Sequence, residues 1–270
     1  MRPLIPFLPT RKPEYTVNHP AADVIAQAKQ GKVTVGYWSV LDSPISNERV
    51  AMTGYDYIAL DGQHGLMGYS GILANLMAID AAHGPAGIVR VEANNAAVIG
   101  QALDAGARGV IVPLVNNSAE AEAAVQATRY PGTGMRSYGP MRSGLRVGPT
   151  PADSDRSVIL LVMIETAEGL DNVESICAVE GVDGVYIGPS DLSLAVGGNR
   201  PNDPDVAEDF NAAVKRVLHA AKAAGRIAAI HTPNGAVARQ RIEQGFTFVS
   251  IASDLTHLEQ AARDHLAAVR

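Results

Sequence analysis

Eight short runs rich in β-branched and aliphatic residues recur along the chain, and Ala-rich stretches of helical apolar spacing lie between them. The runs are Val33 to Trp38, Tyr57 to Asp61, Ile88 to Val91, Val110 to Val115, Ile159 to Glu165, Gly184 to Gly188, Ile227 to His231 and Phe246 to Ala252. Strands alternating with helices build a parallel sheet, because a crossover must return the chain before the next parallel strand can pair. Eight such units in 270 residues match a closed (β/α)8 TIM barrel, an α/β fold; an open doubly wound sheet more often has fewer strands and a switch point. No linker or low-complexity stretch divides the chain. The expectation is one barrel domain over residues 1–270, preceded by an irregular segment over about residues 1–20.

At 47% hydrophobic residues, a chain of this length can bury the core that a barrel needs. A formal charge of −6 without a dense Lys/Arg tract argues against nucleic acid and against an anionic membrane surface. Small soluble ligands are the expected partners. The single cysteine, Cys177, can form neither an internal disulfide nor a thiolate cage. No apolar run reaches membrane-spanning length, and the opening MRPLIPFLPTRKPEY is too short and Pro-broken for a signal peptide, so a cytoplasmic location is expected.

In a barrel of this kind the active site lies at the C-terminal ends of the strands and in the loops that follow them. Those ends carry Trp38, Asp61 with His64, Arg90, Glu165, Asp191 and His231. Each has an ordinary structural explanation: Asp191 in GPSDLS as a helix cap, Glu165 as a solvated strand end, His64 as a loop histidine, Arg90 as a partner for Glu92, Trp38 as core. Together they are forced onto one rim, where crowded carboxylates need a cation to offset their repulsion. Two carboxylates, Glu165 and Asp191, without a cysteine or a local His pair favour a hard oxygen-seeking ion, Mg²⁺ or Mn²⁺, with Co²⁺ as a tolerated substitute. A 2-oxo acid suits such a site, with its carboxylate and keto oxygen on the metal and Arg90 beside the oxygen that becomes negative. His64 is the natural proton shuttle, with Asp61 three residues earlier placed to orient its ring.

A Schiff-base aldolase would instead need a lysine in the barrel mouth. None of the five lysines, Lys12, Lys29, Lys32, Lys215 and Lys222, falls at the C-terminal end of an expected strand. The long stretch PGTGMRSYGPMRSGLRVGPTPADSDR follows the fourth helix and so begins at the opposite rim, which makes Arg136, Arg142 and Arg146 structural or interfacial. Its glycines follow a helix, the wrong context for a dinucleotide fingerprint.

At the rim residues, the segments YIALDGQHG, GIVRVEANNAAVIGQALDAGARGVIVPLVNNSAEAEAAVQATRYPGTGMR, LLVMIETAEGLDNVESICAVEGVDGVYIGPSDLS and GFTFVSIASD resemble the HpcH/HpaI aldolase family. The resemblance runs from about the first strand to the last and implies a barrel of the phosphoenolpyruvate/pyruvate type. It implies a class II aldolase that joins pyruvate, or an analogue such as hydroxypyruvate, to an aldehyde and cleaves the resulting 4-hydroxy-2-oxo acid. On the same basis Glu165 and Asp191 match the metal ligands, Arg90 the arginine holding the pyruvyl oxygens, and His64 the acid/base histidine with Asp61 as its partner. The backbone at Ser190 would face the substrate carboxylate, Trp38 would form a pocket wall, and Asp104 would reach a neighbouring subunit's site within a homohexamer. Gln63 and Met163 depart from the pattern, standing where the family often has Glu and Gln, and put acceptor and donor choice in doubt. Two other readings stay open: an acyl-CoA lyase of the citrate lyase β-subunit or malyl-CoA lyase type, and a metabolite-binding barrel without catalysis.

Overall fold

The computed structural model describes residues 20–148 and 150–270. The expected irregular segment over residues 1–20 falls, apart from Pro20, outside the described residues. The strands are β1 Thr34–Ser39, β2 Tyr57–Asp61, β3 Ala86–Arg90, β4 Gly109–Val112, β5 Ile159–Ile164, β6 Gly184–Ile187, β7 Ile227–Thr232 and β8 Phe248–Ile251. All pair in parallel in chain order, and β8 returns to β1, so the sheet closes as the (β/α)8 barrel expected from the alternation. The helices are α1 Pro20–Lys29, α2 Pro44–Ala51, α3 Tyr69–Ala81, α4 Ala96–Asp104, α5 Ser118–Thr128, α6 Ser143–Arg146, α7 Pro151–Ser157, α8 Ala167–Asp171, α9 Val173–Ala178, α10 Pro189–Ala195, α11 Ala207–Ala223, α12 Gly235–Gln244 and α13 Asp254–Ala267.

Strand boundaries shift by up to three residues from the expected runs, and two of these shifts have identifiable reasons. β4 stops at Val112 because Pro113 has no N–H to continue the ladder. β8 starts at Phe248 instead of Phe246 because Gly245, at φ 108, ends α12 in the left-handed conformation. There the N–H of Phe246 bonds back to the carbonyl of Arg241 at 3.0 Å, so Phe246 completes the helix cap.

Side chains alternate across a strand, so one parity on every strand faces inward. The interior set includes Tyr57, Ile88, Ile111, Leu161, Tyr186, Ala229 and Phe248, and Ala21, Ile25 and Ala28 of α1 join it at the N-terminal mouth. α1 therefore plugs one end and leaves the C-terminal end for chemistry. Tyr57 and Phe248 stack in the interior with ring centroids 4.1 Å apart. That stack needs Gly36 beside it, since a Cβ there would lie 2.0 Å from the Tyr57 ring. Gly36→Ala is therefore expected to destabilise the barrel by about 1–3 kcal/mol, read as a lower urea midpoint with an unchanged slope.

The stretch over residues 131–156 folds α6 and α7 against the N-terminal rim. Arg136 pairs with Asp104 and lies 4.6 Å over the Tyr130 ring, while Arg142 and Arg146 both reach Asp80. These arginines tie the excursion to the barrel, away from the open mouth. Among the described residues, no helix is long and apolar enough to cross a membrane.

Candidate active site

Inward parity carries to the open end, where Trp38, Asp61 and Arg90 are the last or next-to-last residues of their strands. Asp61 and Arg90 are direct register partners across β2 and β3, which brings their side chains together. Arg90 donates from Nε to Asp61 Oδ1 at 2.9 Å and from Nη2 to Oδ2 at 2.5 Å, and both residues are buried. Trp38 Nε1 donates to Asp61 Oδ2 at 3.1 Å, and the backbone N–H groups of Gln63 and His64 each donate to Oδ1 at 3.0 Å. Burial alone would raise the Asp61 pKa, but the Arg90 hydrogen bonds and charge, aided by His64 N–H and the Trp38 indole, hold it below the usual carboxylate range.

Asp61 thus differs from the expectation that it would orient the His64 ring. Its oxygens are taken by Arg90, Trp38 and two loop amides, so it fixes the guanidinium and the start of the loop that carries His64. His64 itself is exposed and lines a cavity of about 200 Å³ with Trp38, Arg90, Met163, Ser190, Asp191 and others.

Glu165 stands just past β5 and is only 3% exposed. Its Oε1 accepts the Leu114 N–H at 2.9 Å, while the buried Oε2 has no hydrogen-bond partner. Burial first, and then the negative charge of Asp191, raise its pKa to about 7, against the opposing effects of Leu114 N–H and Arg90. Gly188 keeps the space around this oxygen open, since a Cβ there would lie 2.3 Å from Oε2. Asp191 sits in the first turn of α10, whose cap is Gly188 with no side-chain cap bond, so Asp191 is not spent as a helix cap.

A buried, unpartnered carboxylate oxygen within reach of a second carboxylate's charge suits a cation. Among the described residues, no group of three or more His, Cys, Asp or Glu side chains forms a denser cage. The pair fits a hard divalent ion that keeps water and substrate oxygens on its remaining positions.

Leu114 escaped the sequence reading. It takes φ 53, a conformation an L-residue adopts at a cost, and so turns its N–H toward Glu165. Pro113 after an apolar strand was the available signal for an irregular turn there. Asp104 is not brought to the cavity of its own chain. It ends α4 at the opposite rim and is ion-paired with Arg136 at 2.5 Å. The described lysines also stay away from the mouth, with Lys29 paired to Asp183 and Lys215 and Lys222 on α11, while Lys12 lies outside the described residues.

Residues 34–261 match the family model described as HpcH/HpaI aldolase/citrate lyase. The chain is 39% identical over 233 residues to the 5-keto-4-deoxy-D-glucarate aldolase of Escherichia coli (strain K12 / DH10B), covering 84% of this chain and 88% of that protein. Among solved structures, an HpcH/HpaI aldolase/citrate lyase family protein from Burkholderia cenocepacia J2315 superposes with a TM-score of 0.82 at 31% identity, covering 92% of this chain and 99% of that one. The citrate lyase β subunit of M. tuberculosis, complexed with oxaloacetate and magnesium, shares the fold at a TM-score of 0.58 and 18% identity, covering 83% of this chain and 93% of that one.

Proposed function

The chain belongs to the HpcH/HpaI aldolase/citrate lyase family, and from that premise and its rim geometry we propose that it is a divalent-metal-dependent aldolase that reversibly cleaves 4-hydroxy-2-oxo acids. The products are pyruvate, or an analogue such as hydroxypyruvate, and an aldehyde. The observation that carries this reading is the unpartnered Glu165 oxygen, which feels the charge of Asp191 and lies against Gly188 in the wall of the cavity that Asp191, Arg90 and His64 line.

Glu165 and Asp191 would hold the ion, Mg²⁺ or Mn²⁺ in the first instance and Co²⁺ as a substitute. When bound, it supplies positive charge to the carboxylate and keto oxygens of a 2-oxo acid. Arg90, held by its fork on Asp61, directs its remaining N–H toward the cavity and stabilises the C2 oxygen as negative charge gathers there. In cleavage His64 accepts the proton of the C4 hydroxyl as the C3–C4 bond breaks, and that bond's electron pair becomes the enolate. The aldehyde leaves, and the proton returns to C3 to give the methyl group of pyruvate. The backbone at Ser190 faces the substrate carboxylate, and Trp38 walls the pocket while donating to Asp61. Met163, 1% exposed in the cavity wall, gives the donor end an apolar surface.

The working assembly in this proposal is a homo-oligomer, a hexamer, acting on small molecules in the cytoplasm. α13 supports association: Asp254 is its buried residue, while Leu255, Leu258 and Leu266 are exposed. Asp104 would reach a cavity only across such an interface. Light scattering is expected to give a mass several-fold that of one chain, and a monomer would remove this part of the proposal.

The activity is tested by supplying purified protein and Mg²⁺ or Mn²⁺ with a 4-hydroxy-2-oxo acid and measuring released pyruvate. Turnover without any thioester, unaffected by borohydride in the presence of pyruvate, is expected. A requirement for a CoA thioester would move the assignment to an acyl-CoA lyase, and borohydride inactivation would contradict the absence of a Schiff base.

A further inference from the structure

On the other side of His231 lies a second chamber of about 320 Å³, whose walls include Asn202, Phe210, Val237, Arg241 and Thr256. Pro189, Ser190 and His231 line both spaces, so they stand between them. His231 is the next-to-last residue of β7, and the others follow the C-terminal ends of strands or lie on the helices beyond; neither Asp61 nor Arg90 lines this chamber. A substrate whose 2-oxo acid end lies at Arg90 therefore extends toward His231 with its aldehyde-derived half.

His231 is held firmly for a residue at such a junction. It is the register partner of Ser250, and its Nδ1 lies 2.8 Å from Ser250 Oγ. Ser250 Oγ lies 2.6 Å from the Tyr186 hydroxyl, and the buried Tyr57 hydroxyl nearby makes no hydrogen bond. The edge of the imidazole also meets Trp38, with ring centroids 5.3 Å apart.

The direction of this chain of hydroxyls follows from burial. If Nδ1 donated to Ser250 and Ser250 to Tyr186, the buried Tyr186 hydrogen would be left without an acceptor, because the Tyr57 hydroxyl makes no hydrogen bond. Run the other way, Tyr186 gives to Ser250 and Ser250 to Nδ1, and both of these hydroxyl hydrogens have an acceptor. Burial, reinforced by Arg90, also lowers the His231 pKa to about 4, so the ring is neutral and its single proton sits on Nε2. Among the described residues Nε2 has no hydrogen-bond partner.

We propose that His231 is a specificity residue for the acceptor half of the reaction, presenting an Nε2–H donor to an oxygen on the carbon next to the aldehyde carbonyl, with the rest of the acceptor in the chamber beyond. The preferred acceptors are then 2-hydroxyaldehydes. Ser250 and Tyr186 are positioning residues that fix the tautomer. The inference rests on the aldolase reading above. A site built around a fixed donor discriminates against the analogue that lacks the oxygen, because the donor is then left unpaired.

The test compares 2-hydroxypropanal with propanal as acceptors for pyruvate in the presence of Mn²⁺, since the two differ only in that hydroxyl. The intact protein is expected to favour 2-hydroxypropanal in kcat/KM by at least about tenfold. His231→Leu should bring the ratio close to one by losing rate on the hydroxylated acceptor, whereas His231→Gln, which can place an amide donor near the Nε2 position, should keep most of the preference. Ser250→Ala should lower the ratio several-fold. No preference in the intact protein, or an equal loss on both aldehydes in His231→Leu, would overturn the proposal. Deuterium exchange at C3 of pyruvate without aldehyde checks the underlying reading separately: exchange is expected, and its absence together with no product from either aldehyde would overturn that reading and this inference with it.

Discussion

Glu165→Gln is expected to abolish cleavage and, in metal-free protein, to raise stability above pH 7. The loss of activity follows from removing one of two carboxylates proposed to hold the ion, and should amount to at least about a thousandfold in kcat/KM. The gain in stability has the opposite sign and the same cause. In the folded chain burial and Asp191 raise the Glu165 pKa from 4.5 to about 7. A carboxyl with a raised folded-state pKa contributes stability that is fully present below its unfolded pKa and is lost as pH rises through the folded value. The loss across that window is on the order of 3 kcal/mol for a group this buried. The variant carries no such charge, so its urea midpoint in EDTA should match the parent's near pH 4.5 and exceed it at pH 8.5. Added Mn²⁺ should then stabilise the parent and leave the variant unmoved. Identical pH profiles in EDTA would show that Glu165 is not strained by its surroundings.

Arg90→Met should be the more damaging change to the fold. The substitution removes the group proposed to stabilise the C2 oxygen and leaves the Asp61 carboxylate, 2% exposed, without its cation. Breaking a buried pair from one side costs about 3–5 kcal/mol, because the remaining charge keeps its desolvation penalty. The pH dependence should also reverse. With Arg90 present, the lowered pKa of Asp61 contributes stability above its unfolded pKa that is lost as pH falls through the folded value. Without Arg90, burial dominates and the variant should gain relative stability as pH falls. Adding Asp61→Asn to Arg90→Met should recover much of the lost stability and none of the activity, separating the fold's need for the pair from the reaction's need for the guanidinium. Arg90→Lys keeps a positive charge but loses the two-pronged geometry on Asp61, so it should recover little turnover.

The barrel was legible because its signal is repeated: each strand shows the same apolar pattern, and each is followed by a helical period. The rim was legible for a related reason. Parity along a strand determines which residues face inward, so Trp38, Asp61, Arg90 and His231 could be assigned to one mouth without coordinates. What parity does not reveal is who bonds whom. The pairing of Asp61 with Arg90 depends on a register between separate strands, and it redirects an acid expected to serve the His64 ring. Leu114 was hidden because its contribution is a backbone N–H turned by a left-handed φ, which no side-chain type announces. Asp104 was placed by resemblance alone, at a neighbouring subunit's site, and within one chain its helix ends at the rim opposite the cavity. His231 was visible at a strand end, but its role needed Ser250 and the hydroxyls behind it, three strands' worth of register.

Glu165 and Asp191 together are proposed to hold the ion on which cleavage depends. The most direct test is to titrate metal-stripped protein with Mn²⁺ while following both bound metal and pyruvate release from a 4-hydroxy-2-oxo acid. No cleavage is expected before addition, with recovery in proportion to one ion per chain and loss of both binding and recovery in Glu165→Gln and Asp191→Asn. Undiminished cleavage by the stripped protein, or unchanged Mn²⁺ binding by either variant, would contradict this proposal.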